Sequence, residues 1–516
     1  MQPSTDPSLS PSKTGSSLDS GRPSVLLINP PITHAQRTGP LGPIIKNLYF
    51  NSPPLGIAYI AGLLEAKGMR VRLMDAAVEG FTPEETLEKI VSWQPDILGL
   101  TSTSNFFCNA IELGTAVKNV APDITTVLGG PHVSSQVEQA MAHTCFDFAC
   151  IGEGEYTTLD LVETLADQRD PASVEGIAFR RNGEIQQTAR RPLITTLDDL
   201  PPPARHLLPL KRYVAQPNDG PYLPKMAMIS SRGCPFKCIF CDHGTYGNTY
   251  RSFSAPRIVD EMEELVTRYG ARDIAFVDSL FMISDKRVRG IVGEIRDRGI
   301  KVHWTCTIRA NIATRELLAM MKEAGCWRVR IGVESGNQQV LDFIKKEVTK
   351  DEIHEVAAAA SELGLHPKAF FMVGHPTETE ATIQDSIDFA RSLPLTDITV
   401  QINTPLPGAP QFEVFRNYGE SVSDNLEDYT FWQPVFIPEG LSREKLEALF
   451  RKFYLSFYLR PIIVWRHLKM LRRPSDVPRY ARALALLFQR FITTRVDAVF
   501  HTSTRASTGE SSDDGH

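Results

Sequence analysis

The feature that most restricts the fold is an alternation, repeated along most of the chain, of short apolar runs with longer stretches of helical periodicity. From Ser24 the runs are 24–30 (SVLLINP), 70–76 (RVRLMDA), 97–103 (ILGLTST), 124–130 (ITTVLGG) and 146–153 (FDFACIGE). Helical segments are expected between them, at 55–67, 84–92, 106–119 and 134–142. Uninterrupted apolar strands separated by helices call for a parallel sheet covered on both faces, since each strand is then buried on both sides. Right-handed crossovers make such a run a doubly wound, Rossmann-like α/β domain whose ligand loops lie beyond the carboxyl ends of the strands. Those ends here are Asn29-Pro30-Pro31, Asp75, 101–104 (TSTS), 129–132 (GGPH) and 152–155 (GEGE). Small and hydroxyl residues dominate them, and they let backbone approach a bulky ligand closely.

A second alternating run has strands expected at 225–233, 273–281, 302–309, 327–335, 368–376 and 397–405. Its helices are expected at 256–269, 285–298, 314–324, 351–363 and 380–392. Six βα units make either an open sheet or a partial (β/α)6 TIM-type barrel, and a barrel carries its chemistry at the carboxyl ends of the strands. Between the two runs, 176–194 reads as a hairpin around Asn182-Gly183. The stretch 197–210, with three consecutive prolines, reads as a linker. Residues 421–500 read as helical: Ser442 can cap a helix whose stripe holds Leu446, Leu449, Phe450, Phe453, Tyr454, Phe457 and Tyr458. The organisation expected is a loose polar tail (1–23), a first α/β domain (24–168), hairpin and linker (169–222), the second α/β domain (223–420), a helical region (421–500) and a second tail (501–516).

Composition bounds the function. A net charge of −6 over 516 residues carries no whole-chain signature of nucleic-acid binding. Eight cysteines in a chain of this length are too sparse for a disulfide scaffold, which points to a reducing, cytoplasmic compartment. The first 23 residues, rich in Ser, Pro and Thr without an apolar run, read as neither a leader nor a membrane start. The nearest approach to a spanning segment, 449–470, is broken by Arg451, Lys452, Arg460 and Arg466, so no transmembrane helix is expected.

The chemistry concentrates at 231–244 (SRGCPFKCIFCDHG), where Cys234, Cys238 and Cys241 are spaced C-x3-C-x2-C and His243 follows. Thiolates at this density bind soft metals or iron–sulfur clusters. A zinc site would take His243 as fourth ligand, but structural zinc usually pairs two knuckles and no second Cys-x2-Cys occurs. Three cysteines on one loop suit a 4Fe–4S cluster with one iron left open. Cys306 and Cys326 read as core.

The triad, one residue beyond the first strand of a six-fold βα repeat and with Phe240 ahead of its last cysteine, resembles the radical S-adenosylmethionine superfamily. The stretches 28–31 (INPP), 53–65 (PPLGIAYIAGLLE), 128–134 (LGGPHVS) and 151–155 (IGEGE) resemble the cobalamin-binding domain that precedes such barrels in one subfamily. The resemblance covers about 24–415. It implies a cobalamin-binding domain, a partial barrel and a helical carboxyl-terminal region. It also implies a 4Fe–4S cluster on Cys234, Cys238 and Cys241, with S-adenosylmethionine at the open iron. By the same resemblance Phe240, Gly374 and Pro376 lie near the adenine, and Asp278 and Glu334 contact the cosubstrate, with Arg309 as a weaker candidate. Ser102, Gly129 and Gly130 would contact the cobalamin tail. Structural readings stand beside these: Asp278 and Glu334 capping helices or pairing with Arg328 or Arg330, Gly374 and Pro376 shaping a turn, and Tyr59, Phe106 and Phe107 as core. In many cobalamin domains a histidine in Asp-x-His-x-x-Gly binds cobalt; in 75–80 Ala77 takes that place, so cobalamin is expected without a histidine lower ligand, and His132 is read as a loop residue.

The implied activity is methylation of an unactivated carbon by way of a 5′-deoxyadenosyl radical and methylcobalamin. An oxidative cyclase or oxidoreductase, similar to the anaerobic magnesium-protoporphyrin monomethyl ester cyclase, shares the same motifs. A non-catalytic cobalamin sensor is a third reading, against which the intact triad argues. The partners implied are a small, apolar substrate and a reductant such as flavodoxin or ferredoxin, with no nucleic acid. A peripheral membrane contact is a further expectation, from the carboxyl-terminal helices and Arg460, Arg466, Lys469, Arg472 and Arg473.

Overall fold

The computed structural model describes residues 22–38, 42, 52–213, 222–471, 477–478 and 481. The expected polar tails lie outside these apart from Arg22 and Pro23, as does nearly all of the expected helical region beyond Leu471.

The first run folds into a seven-stranded sheet. Its strands are β1 (Ser24–Asn29), β2 (Arg70–Asp75), β3 (Ile97–Thr101), β4 (Thr125–Gly129), β5 (Phe148–Cys150), β6 (Ile177–Arg181) and β7 (Glu184–Gln187). The order is β2-β1-β3-β4-β5-β6-β7. The first five are parallel, and the hairpin β6–β7 continues the sheet antiparallel from β5. Alternate residues of each strand feed two cores. Leu26, Ile28, Leu98 and Leu100 pack under α3 (Phe107–Val120) and α2 (Pro83–Trp93), while Val25, Leu27, Ile97 and Val127 pack under α1 (Leu55–Ala66) and α4 (Gly154–Ala166). The helix expected at 134–142 is instead two short ones, Pro131–Ser135 and Val137–Met141.

The second run forms six parallel strands: β8 (Lys225–Met228), β9 (Asp273–Phe276), β10 (His303–Ile308), β11 (Cys326–Glu334), β12 (Lys368–Val373) and β13 (Asp397–Ile402). They stand in simple sequence order across the sheet, the order of an open, partial barrel. The helices between them are α5 (Ala255–Thr267), α6 (Asp285–Asp297), α7 (Arg315–Glu323), α8 (Lys350–Glu362) and α9 (Glu380–Ser392). Each starts at a Ser or Thr whose side chain accepts a backbone N–H of the first turn: Ser254, Ser284, Thr314, Thr349 and Thr379. Phe276, Phe281 and Trp304 fill the core between β9 and β10, with ring centroids 4.8–5.6 Å apart.

The region from 421 is only partly helical. A short antiparallel pair, Gly419–Ser421 with Phe436–Pro438, comes first. Two helices follow, α10 (Arg443–Tyr458), capped by Ser442, and α11 (Pro461–Met470). The linker is tied into both units: the Ala204 N–H donates to the Ala58 carbonyl of α1 at 2.8 Å, and Arg205, 2% exposed, donates to Glu261 of α5 at 2.6 Å and to the Ala227 carbonyl of β8 at 2.9 Å.

Candidate functional site

The carboxyl ends of the two sheets face one another across a cavity of about 1160 Å³. That exceeds the roughly 300–1,000 Å³ typical of a site for one drug-sized ligand. One wall comes from the first domain and includes Asn29, Ser102, Thr103, Gly129 and Gly130. The other comes from the barrel and includes Cys234, Cys238, Cys241, Phe240, Arg309 and Glu334. Strand pleating decides which barrel residues reach it. On β12 and β13, Phe370, Met372, Thr399 and Gln401 line the cavity, while Phe371, Val373, Val400 and Ile402 turn away into the core.

The three cysteines are unpaired, and all eight cysteines of the chain are free. Burial raises the Cys234 thiol and, with Cys238 beside it, pushes Cys241 up to about 12. Binding of metal by Cys234 and Cys241 must therefore release their protons. Two cations stand ready to offset the charge this creates. Arg309 lies 3.6 Å over the Phe236 ring and directs Nη1 to Cys238 Sγ at 3.6 Å. Lys346 Nζ lies 5.9 Å from the Phe240 ring and pairs with Glu334 Oε1 at 2.7 Å. Among the described residues no three His, Cys, Asp or Glu side chains are gathered closely enough for a single metal ion. The zinc reading with His243 needs such a gathering. A multinuclear cluster, which takes each thiolate on a different iron, does not.

Glu334 therefore pairs with Lys346 rather than with Arg328 or Arg330; Arg328 serves Asp397, and Arg330 donates to Thr305. Its backbone is left-handed at φ 68°, a conformation uncommon outside glycine and enriched at functional sites. Lys346 was not singled out from the sequence, because within KKEVTK it reads as a surface charge; only the fold turns it inward.

Asp278, Gly374 and Pro376 are buried behind the cavity wall rather than on it. Asp278 accepts the backbone N–H groups of Ser230 (2.6 Å) and Ser231 (3.1 Å) and the Ser230 hydroxyl. It thereby holds the segment that leads into the cysteine loop. Its neighbour Ser279 reaches the cavity instead. Gly374 and His375 donate their N–H groups to Glu378 at 2.6 and 3.0 Å, so this acid organises the turn and keeps Gly374-His375-Pro376 behind Phe240.

In the first domain, Gly130 (φ 106°) brings the chain so close to β3 that a Cβ would meet the Ser102 carbonyl at 2.6 Å. Ser102, Gly129 and Gly130 thus form one shallow, side-chain-poor cradle, open to the cavity. Ala77 is buried on the short helix Ala76–Glu79 and does not line the cavity. Asp75 caps that helix and is held by Asn29 and Tyr213 at 2.8 and 2.7 Å. His132 is fully buried, donating to or accepting from Ser104 at 3.1 Å and packed 4.1 Å from the Phe107 ring. Among the described residues His243 is the one histidine on the cavity lining. Of the aromatics, Tyr59 and Phe107 are core and Phe106 borders the cavity.

This donor set fits the groups implied by the sequence: three free thiols on one wall suit an iron–sulfur cluster, and the glycine cradle opposite suits a large planar cofactor with a tail. Known proteins agree. Residues 228–390 match the Radical SAM superfamily and residues 42–162 the B12 binding domain. The chain is 32% identical over 442 residues to an uncharacterized methyltransferase of Pyrococcus horikoshii, covering 85% of this chain and 93% of that one. It is 29% identical to the anaerobic magnesium-protoporphyrin IX monomethyl ester cyclase of Rubrivivax gelatinosus, covering 79% and 74%. The solved structure of the cobalamin-dependent S-adenosylmethionine radical enzyme OxsB, with aqua-cobalamin and S-adenosylmethionine bound, shares the fold at a TM-score of 0.68 and 16% identity, over 91% of this chain and 71% of that one. With a B12 binding domain, a radical S-adenosylmethionine domain and a cavity built by both, the chain belongs to the cobalamin-dependent radical S-adenosylmethionine enzymes.

Proposed function

We propose that this enzyme methylates an unactivated carbon of a small, apolar molecule. The observation that carries the reading is the single cavity lined on one side by Cys234, Cys238 and Cys241 and on the other by Ser102, Gly129 and Gly130. When bound, the cluster and S-adenosylmethionine supply hydrogen abstraction and cobalamin supplies the methyl group, chemistry that side chains alone do not provide. The chain's own part is placement. The three thiols hold the cluster. Glu334 and Lys346 present a carboxylate and an ammonium to the zwitterionic end of the cosubstrate. Phe240, backed by the Gly374–Pro376 turn, supports its adenine. Ala77, where many cobalamin domains carry a histidine, would offer the cofactor no imidazole from that position. Phe370 and Met372 supply an apolar side to the substrate space.

Anaerobically reconstituted protein given S-adenosylmethionine with a deuterated methyl group should yield labelled product together with 5′-deoxyadenosine. Unlabelled product with 5′-deoxyadenosine still formed would sink the reading. Such a product, having lost hydrogen or gained oxygen, would favour oxidative cyclisation, the activity for which the Rubrivivax relative is named. A cobalamin sensor would keep its output with all three cysteines changed to alanine, whereas the proposed enzyme loses turnover.

A one-electron carrier such as flavodoxin or ferredoxin is the reductant this chemistry needs, and a reducing cytoplasm is the compartment that eight free cysteines support. No helix of the described residues is long and apolar enough to cross a membrane. A peripheral contact is supported by Leu459, Ile462, Trp465 and Leu468, all about half exposed or more beside Arg460, Arg466 and Lys469. Equal partitioning of the full chain and a Trp465→Ser, Leu468→Ser variant onto anionic vesicles would retire it.

A further inference from the structure

The cysteine loop is fastened to the opposite domain at both ends. Arg232 lies two residues ahead of Cys234 and is 1% exposed in its side chain. Its guanidinium reaches Glu153 Oε1 at 2.8 Å and Glu155 Oε1 at 2.5 Å, at the N-cap and in the first turn of α4 in the B12 binding domain. Arg251, from the short strand paired with Ser231–Arg232, closes the network on Glu153 Oε2 at 2.6 Å. The Tyr59 and Tyr246 rings lie 5.3 and 5.5 Å from the Arg232 guanidinium. Gly233, between Arg232 and Cys234, has φ 77°, and a Cβ there would fall 2.2 Å from the Thr249 carbonyl, so the link from this latch to the first cysteine is a single residue packed closely against the neighbouring backbone. At the other end Asp242 follows Cys241 directly. Its two carboxylate oxygens accept from the Ser135 hydroxyl at 2.9 and 2.8 Å. Ser135 ends the short helix that begins just after the Gly129-Gly130 cradle.

Two arginines and two glutamates taken out of water together add little net stability, since desolvation offsets their attraction. What a buried guanidinium forked between two carboxylates does supply is fixed geometry. Glu153 and Glu155 themselves line the cavity, so the latch sits at the join of its two walls.

We propose that Arg232 and Asp242, with Glu153, Glu155 and Ser135 as their partners, are positioning residues that set the spacing between the cysteine loop and the glycine cradle. The inference rests on the proposed methyl transfer for one of its two readouts only. The test uses the full chain, reconstituted anaerobically with iron, sulfide and cobalamin, as wild type, Ser135→Ala, Glu155→Gln and the double variant. Iron and cobalamin contents should match wild type. The ratio of 5′-deoxyadenosine to methylated product should rise roughly 10–100-fold in the double variant, the scale of loss that small misplacements cause. Independently of product, the magnetic interaction between the reduced cluster and bound paramagnetic cobalamin should be sharply defined in wild type and broadened in the variants. Should wild type make no methylated product, the methyl-transfer reading falls and the magnetic readout alone decides the positioning role. Should the double variant fail to load iron, Ser135→Ala, at the half-buried end of the loop, carries both readouts. Variants that load normally and change neither the ratio nor the interaction would overturn the inference.

Discussion

At the scale of single residues, the buried ionisable groups around the cavity act mostly by holding backbone in place. Glu378 is the clearest case. Burial raises its carboxyl to about 8 from an ordinary value of 4.5. The folded protein therefore keeps a proton that the unfolded chain releases, so this group's contribution to stability is complete below 4.5 and is lost as pH rises through about 8. Glu378→Gln is neutral at every pH and can accept the same two N–H groups. Urea midpoints should show wild type losing, from about pH 5 to about pH 8.5, on the order of a few kcal/mol that the variant retains. Parallel pH profiles for the two proteins would contradict this. Cys238→Ala, a small change at a buried position, should leave the fold intact and remove most of the iron bound on reconstitution, as measured by iron analysis and the visible absorption of the cluster. Unchanged iron content would remove Cys238 from the ligand set.

At the scale of elements, α10 answers a problem posed by the open barrel. An unclosed parallel sheet leaves the outer edge of its last strand without a partner. Tyr454 of α10 accepts the Val400 N–H at 3.0 Å and donates to the Val400 carbonyl at 2.8 Å. Tyr458, one turn on, donates to the Ile398 carbonyl at 2.9 Å and also reaches the buried Asp397. The apolar stripe read from the sequence supplies the rest: Leu446, Leu449, Phe450, Phe453 and Phe457 are buried, and Phe453 meets Phe371 at 5.1 Å. The helix thus finishes the edge of the sheet, and the two tyrosines act as surrogate strand. Tyr454→Phe leaves two buried backbone groups of β13 unpaired and should cost about 1–3 kcal/mol in thermal or urea denaturation. Tyr458→Phe should cost a similar amount, and the pair less than the sum if one edge is all they protect.

At the scale of the whole molecule, the two domains share a cavity, a buried ion network and a linker pinned by Arg205, so neither buries its charges alone. Separated from the first domain, the barrel would present Arg232 and Arg251 with no acid partners. Calorimetry of the full chain should therefore show one cooperative transition spanning both domains, raised in temperature by added cobalamin through mass action. Two well-separated transitions, only one of them shifted by cobalamin, would show that the interface is weaker than its geometry implies.

The periodicity of apolar residues was enough to place nearly every helix within a residue or two and to locate every strand of the two large sheets, because buried parallel strands and amphipathic helices each carry a strong local pattern, and the Ser and Thr caps mark the helix starts. The strands expected at 225–233, 273–281, 368–376 and 397–405 end three to five residues earlier, where the chain turns into the loops at the cavity. The cysteine triad and the glycine-rich strand ends were legible for the same reason: both depend on short contiguous stretches. The true partner of Glu334, the inward turn of Lys346 and the double fastening of the cysteine loop were not. Each depends on residues brought together from opposite domains or from separate loops, as Arg232 and Glu153 are across 79 positions. The sequence by itself determined which elements form and which chemistry they carry. Only the tertiary structure decided which charges meet in the dry interior, because pairing there depends on distance in space and not on spacing along the chain.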